Sequence, residues 1–275
     1  MIPKEHISQV TNFGVIHGRD LCYSLINNEP DKVANSKFNF NNLFVCSVID
    51  DYHLSACPLR LQPFYNKIKI IKVDNYVKFT TKIIELQKYI TENYNSLPGY
   101  IMYVDGADCL ILNEIPEPAS LLKFYNCKIL FNMEPSISGA GYDWVESYIS
   151  NKFTELCKDY EIKHKQKYKT NTMNSLNAGV FIGEKAYVLE ILNETLQIMN
   201  DSMNKLFPYG CTNDQLVLAW LFNNHFDKMS IDFFNKFSFW GGKFSFYDDE
   251  LHQKFKIGYN DQYLANYIES YGTTL

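Results

Sequence analysis

The sequence predicts an α/β fold: a mixed, mostly parallel, Rossmann-like sheet flanked by helices. Three observations carry this expectation. Short apolar runs without polar alternation recur along the chain, as in strands covered on both faces. A segment with helical apolar spacing separates two of them. Two of the runs end directly on aspartates, and open α/β sheets hold ligands at the carboxyl ends of their strands.

Residues 1–42 are polar and become Asn-rich (Asn35, Asn39, Asn41, Asn42). They are read as a variable N-terminal segment ahead of one domain spanning 43–275. Residues 43–49 form an apolar run stopped by Asp50 and Asp51, the first predicted strand. A second strand is expected at 68–73. Within 75–95, Phe79, Ile83, Leu86 and Ile90 are spaced four, three and four apart, which is one face of an amphipathic helix. Pro98 and Gly99 punctuate the chain before a third strand, 100–104, which ends on Asp105. Strand, connection, strand, helix, strand is the pattern of a doubly wound sheet. Further strands are expected at 109–112, 128–132 and 178–182, and helices at 143–158, 185–204 and 213–223. The lysine-rich stretch 163–169 reads as a solvated loop, with contact to phosphate as the alternative.

Composition narrows the function classes. With 275 residues, 46% hydrophobic and 21% charged, the chain can bury a sizeable core and is neither disordered nor fibrous. Its 26 Lys and Arg against 31 Asp and Glu give a net charge of −5, which disfavours a protein that covers a long phosphate backbone. No uncharged apolar run approaches the ~18 residues of a membrane span. The start carries Lys4, Glu5 and His6 and no apolar leader core. Seven scattered cysteines without a Cys-x-x-Cys pair suggest reduced thiols and a cytoplasmic setting. Arg occurs only at 19 and 60 while Lys, Asn, Ile, Phe and Tyr abound, the bias of an AT-rich genome such as that of a virus or phage.

The chemistry centres on Asp105, Gly106, Ala107 and Asp108. Two carboxylates lie three apart just past an apolar strand, with a glycine expected to let the backbone turn tightly so that both face one ion. Hard carboxylate oxygens at such a place suit Mn2+ or Mg2+ shared with substrate phosphates. An ordinary Asp-Gly turn between two strands is the plain structural alternative. Three further blocks follow: residues 128–135, a strand running into Glu134 and Pro135; residues 175–183, Ser-Leu-Asn-Ala-Gly-Val-Phe-Ile-Gly; and residues 212–216, Thr-Asn-Asp-Gln-Leu, opening a helix.

These four blocks, in this order over roughly 43–240, resemble the glycosyltransferase domain of the procollagen lysyl-hydroxylase and collagen glycosyltransferase family, which has a GT-A fold. The resemblance implies a metal-dependent transfer of sugar from a nucleotide-sugar, most readily a UDP-sugar, to a hydroxyl on a protein (hydroxylysine-type) or on a modified DNA base. Asp105 and Asp108 would hold Mn2+ against the donor diphosphate. Ser47, Asp50 and Asp51 would meet the nucleotide edge, with Gly106 and Ala107 beside it, and Lys82 would approach the diphosphate. Glu134, Asn177 and Asp214 would line the sugar and acceptor, with Asp214 or Glu134 as the base that activates the acceptor hydroxyl. Trp144 would stack on the sugar, and Gln215 would share the donor pocket.

The chain departs from the family in three ways. The family's late histidine ligand has no matching segment, so His252, which follows an acidic run, is the candidate third ligand. Ala107 stands where the family often places a base-stacking aromatic. Asn213 replaces one carboxylate of the acidic pair before Gln215. These departures keep two alternatives open: a GT-A-like binding or structural module without activity, and a sugar nucleotidyltransferase built on the same aspartate-and-metal logic.

Overall fold

A computed structural model of the chain describes residues 12–76, 79–134, 175–200, 214–225, 227–232 and 236–240. In chain order the strands are β1 (Val15–His17), β2 (Leu43–Asp50), β3 (Lys69–Val73), β4 (Tyr100–Val104), β5 (Cys109–Ile111), β6 (Ile129–Glu134), β7 (Ser175–Glu184), β8 (Met229–Ile231) and β9 (Ser238–Trp240). The helices are α1 (Arg19–Asn28), α2 (Pro30–Ala34), α3 (Asp51–Ser55), α4 (Phe79–Asn93), α5 (Pro118–Tyr125), α6 (Lys185–Asn200) and α7 (Asp214–Asn224).

The main sheet has six strands in the order β3-β2-β4-β7-β6-β8. Parallel pairing joins β3 to β2, β2 to β4 and β6 to β8, whereas β7 runs antiparallel to both neighbours. The apolar run of β2 follows from this arrangement: it has a parallel partner on each side, and seven of its eight residues are buried. A second sheet of three strands, β5-β1-β9, has β1 in the middle, antiparallel to β5 and parallel to β9. The strand expected at 109–112 therefore exists but leaves the main sheet.

Residues 1–42 are not set apart from the domain in their described part. Phe13, Val15, Ile16, Leu21, Leu25 and Val33 are buried in the same apolar core as β2, β4 and β7. Strands β2, β3, β4, β6 and β7 and the helices at 185–200 and 214–224 meet the sequence expectation, with the last helix starting at Asp214, whereas β8 was not expected. The expected amphipathic helix begins at Phe79, and its buried face is Lys82, Ile83, Leu86 and Ile90. Phe79 itself is 54% exposed and leaves that face. The helix expected at 143–158 and the loop 163–169 lie outside the described residues. Among the described residues, no helix is long and apolar enough to cross a membrane.

Candidate functional site

Topology brings the motif blocks together. Parallel β2, β3 and β4 end at one sheet edge, so Asp50, Val73 and Asp105 share it. Because β7 is antiparallel, its first half reaches the same edge, and the Asp105 N–H donates to the Gly179 carbonyl at 2.8 Å. The turn 105–108 is also the shortest passage between the two sheets among the described residues. Asp105 is tied to the large sheet at Gly179. Asp108 is tied to the small one, its carbonyl accepting from Gly18 N (2.8 Å) and Cys22 Sγ (3.2 Å).

Both carboxylates are 30% exposed at the side chain. The Tyr103 hydroxyl donates to Asp105 Oδ1 at 2.6 Å, and Tyr103 stacks on Phe181. Lys82 Nζ lies 3.9 Å from Asp105 Oδ1, forms an ion pair with Asp214 Oδ2 and donates to the Ala178 carbonyl at 3.3 Å. Lys82 is 2% and Asp214 3% exposed. Burial alone would lower the Lys82 pKa, but the Asp105 and Asp214 carboxylates outweigh it and hold the ammonium charged. Burial and the Asp108 charge push the Asp105 carboxyl up, against the pull of Lys82 and His17.

The glycine of the turn has a different role from the one expected. Gly106 does not adopt the left-handed backbone that requires glycine. What it supplies is space: a Cβ there would stand 2.7 Å from Ser47 Oγ and 2.8 Å from Ile49 Cδ1. Ser47 thus packs behind the turn, fully buried, and its hydroxyl has no hydrogen-bond partner among the described residues. In front of the turn opens a shallow cleft of about 210 Å³, smaller than the roughly 300–1,000 Å³ of drug-sized ligand sites. Asp105, Ala107 and Asp108 form one wall, and His53, Tyr76 and Phe79 bring aromatic rings to it.

The other predicted site residues are placed as follows. Asp50 caps α3: Oδ1 accepts from His53 N (2.8 Å) and faces His53 Nδ1 (2.6 Å), while Oδ2 accepts from Tyr76 N (3.3 Å). Those backbone donors hold its carboxyl below the usual range. Asp51 is exposed and pairs with Lys72 at 2.7 Å. Asn177 is buried, its Oδ1 accepting from Gly179 N at 2.8 Å. Gln215 Oε1 accepts from Ala178 N at 3.2 Å, joining α7 to β7. Glu134 ends β6, where it pairs with Ser175. Trp144 and His252 lie outside the described residues.

Sequence reasoning missed His17. It is 5% exposed, and its Nε2 lies 3.3 Å from Asp108 Oδ2. A Cβ on Gly179 would come within 2.6 Å of the same nitrogen and 2.8 Å of Asp105 Oδ2, so glycine makes room for both. With Cys109, His17 and Asp108 form a group whose ligand atoms lie within 4.8 Å of one another. Burial, reinforced by the charges of Asp108 and Asp105, pushes the Cys109 thiol up.

No family model matches the sequence, and no curated protein matches it. The fold and site define an α/β protein with a mostly parallel six-stranded sheet and an acidic cluster at the strand ends.

Proposed function

We propose that this chain is a metal-dependent GT-A-type glycosyltransferase that moves a sugar from a nucleotide-sugar, a UDP-sugar first, to a hydroxyl acceptor in the cytoplasm. The observation that carries the reading is the meeting of Asp105, Asp108 and the buried Lys82 at one sheet edge, beside an open cleft. The donor set fits Mn2+ or Mg2+. It offers carboxylate oxygens, one of them fixed by Tyr103, and the missing Cβ of Gly179 makes room for the second Asp105 oxygen. Bound there by Asp105 and Asp108, such an ion offsets the negative charge that develops on the departing diphosphate.

The chain's own groups then divide the work. Lys82 presents a fixed positive charge next to Asp105. Asp214, buried and paired with that ammonium, orients Lys82, and Asp214 or Glu134 is the candidate base that activates the acceptor hydroxyl. The rings of Tyr76 and Phe79 offer the stacking surface that Ala107 lacks. A hydroxylysine-type protein hydroxyl and a hydroxylated nucleobase are the two acceptor classes to assay.

The test is a thermal-shift panel of nucleotide-sugars with and without Mn2+, followed by donor hydrolysis with metal and with chelator. Metal-dependent release of UDP, abolished by Asp105→Ala and by Asp108→Ala, supports the proposal. No nucleotide binding at millimolar concentration in either condition overturns it. Release of pyrophosphate from a nucleoside triphosphate and a sugar phosphate would assign the site to a nucleotidyltransferase instead.

A further inference from the structure

Asp50 ends β2 beside the cleft, yet both of its oxygens are already taken. Oδ1 accepts from His53 N at 2.8 Å and meets His53 Nδ1 at 2.6 Å, and Oδ2 accepts from Tyr76 N at 3.3 Å. We propose that His53 reads the base of the donor: its Nε2 accepts the imide N–H of a uracil-type pyrimidine, and Asp50 acts through it as a positioning residue. The inference rests on the reading of a nucleotide-sugar donor, and it names the residue that chooses the base.

The tautomer follows from the partners. The backbone donors from His53 and Tyr76 hold the Asp50 carboxyl below the usual range, so it is a carboxylate with no proton to give. The hydrogen between the two groups therefore sits on His53 Nδ1, and the neutral ring carries its lone pair on Nε2. That nitrogen has no hydrogen-bond partner among the described residues. The ring lines the cleft, and Tyr52 and Tyr76 pack against it edge-on with centroids 5.1 and 6.2 Å away. At about 210 Å³ the cleft has room for one planar ring rather than a whole nucleotide-sugar. Asp105 and Asp108 line the same cleft, which puts the acidic turn in reach of the diphosphate of a base held at His53. Uracil carries N3–H where cytosine carries a lone pair. A lone pair facing a lone pair leaves both unpaired, and a site made for a hydrogen bond rejects the analogue that lacks it. The His53 side chain is 44% exposed, so water softens that penalty and the preference is modest.

The experiment is a calorimetric titration of the full chain with UDP and with CDP, at saturating Mn2+ in mildly alkaline buffer, where imidazole is neutral. UDP is expected to bind roughly tenfold more tightly than CDP. In His53→Gln, whose amide offers both an N–H and an oxygen, the ratio should fall toward one, mainly through weaker UDP binding. Nitrogen NMR of labelled histidine adds a readout that a merely structural role would not move. In the free wild type the His53 proton should sit on Nδ1, and UDP but not CDP should shift the Nε2 signal. Equal affinities or tighter CDP in the wild type, a UDP preference that survives in His53→Gln, or a free-state proton on Nε2 each overturn the proposal. The wild-type ratio and spectrum need no variant, so the test outlives a folding defect in His53→Gln. If neither nucleotide binds at millimolar concentration with or without Mn2+, the glycosyltransferase reading falls and this inference with it, a result distinct from binding without preference.

Discussion

Lys82 on α4 and Asp214 at the start of α7 form a buried ion pair beneath the acidic turn, with both side chains almost fully enclosed. Taking one charge away strands the other. Lys82→Met should therefore lower unfolding free energy by about 3–5 kcal/mol. Adding Asp214→Asn to that variant should recover part of the loss. Denaturant titration of the two single variants and the double variant checks this, and a strictly additive result would show that the pair is not coupled.

Gly179 separates the His17 ring from the β7 backbone. Gly179→Ala places a methyl 2.5 Å from His17 Cε1 and 2.8 Å from Asp105 Oδ2, so both must shift. We expect a stability loss of about 1–3 kcal/mol together with loss of stabilisation by Mn2+. Gly183→Ala is the control: its methyl would meet Val188 and Ile129 at 2.9 and 3.0 Å, away from the acidic turn. It should cost stability while leaving the Mn2+ response intact in thermal melts.

Asp50 gives the acid dependence. Its carboxyl is held low by donors from His53 and Tyr76, so the charged form is bound more favourably in the folded chain than in the unfolded one. Its contribution is complete above the unfolded carboxylate value, about 3.9, and is lost as pH falls through the lower folded value. Asp50→Asn, which keeps an acceptor oxygen but no charge, should be less stable than the parent at pH 6. Unfolding curves at pH 3 should show the gap narrowed; a gap constant with pH would contradict this account.

Phe79 is large, apolar and half-exposed on the cleft. If the base of the donor lies against it, Phe79→Ala should weaken donor binding by about 1–3 kcal/mol. The change should appear in KM rather than in kcat. Calorimetry with a UDP-sugar and Mn2+ reads it directly, and unchanged affinity would place the base elsewhere.

Strands β2 and β4 of the large sheet were legible because they are buried on both sides, which writes an unbroken apolar run into each. The acidic turn was legible because a strand end followed by two carboxylates is a local pattern. Lys82 was singled out only through the family resemblance: its neighbours Ile83 and Leu86 mark the buried face, but by itself a lysine reads as solvated until the carboxylates that meet it are known. Asp214 is one of them, and it comes from a distant helix. Phe79 fitted the helical spacing, yet at the first turn it faces the cleft instead of the core. The small sheet escaped because β1 and β9 have three residues each, too few for a period, and because they pair only with each other and with β5. His17 was hidden with them.

The two aspartates belong mechanically to different halves of the molecule, Asp105 to the large sheet and Asp108 to the small one. An ion gripped by both would act as a rivet across that seam. Hydrogen exchange should then slow at β1 and β5 as well as at β7 when Mn2+ is added, carrying the effect of a ligand to amides that never touch the sugar.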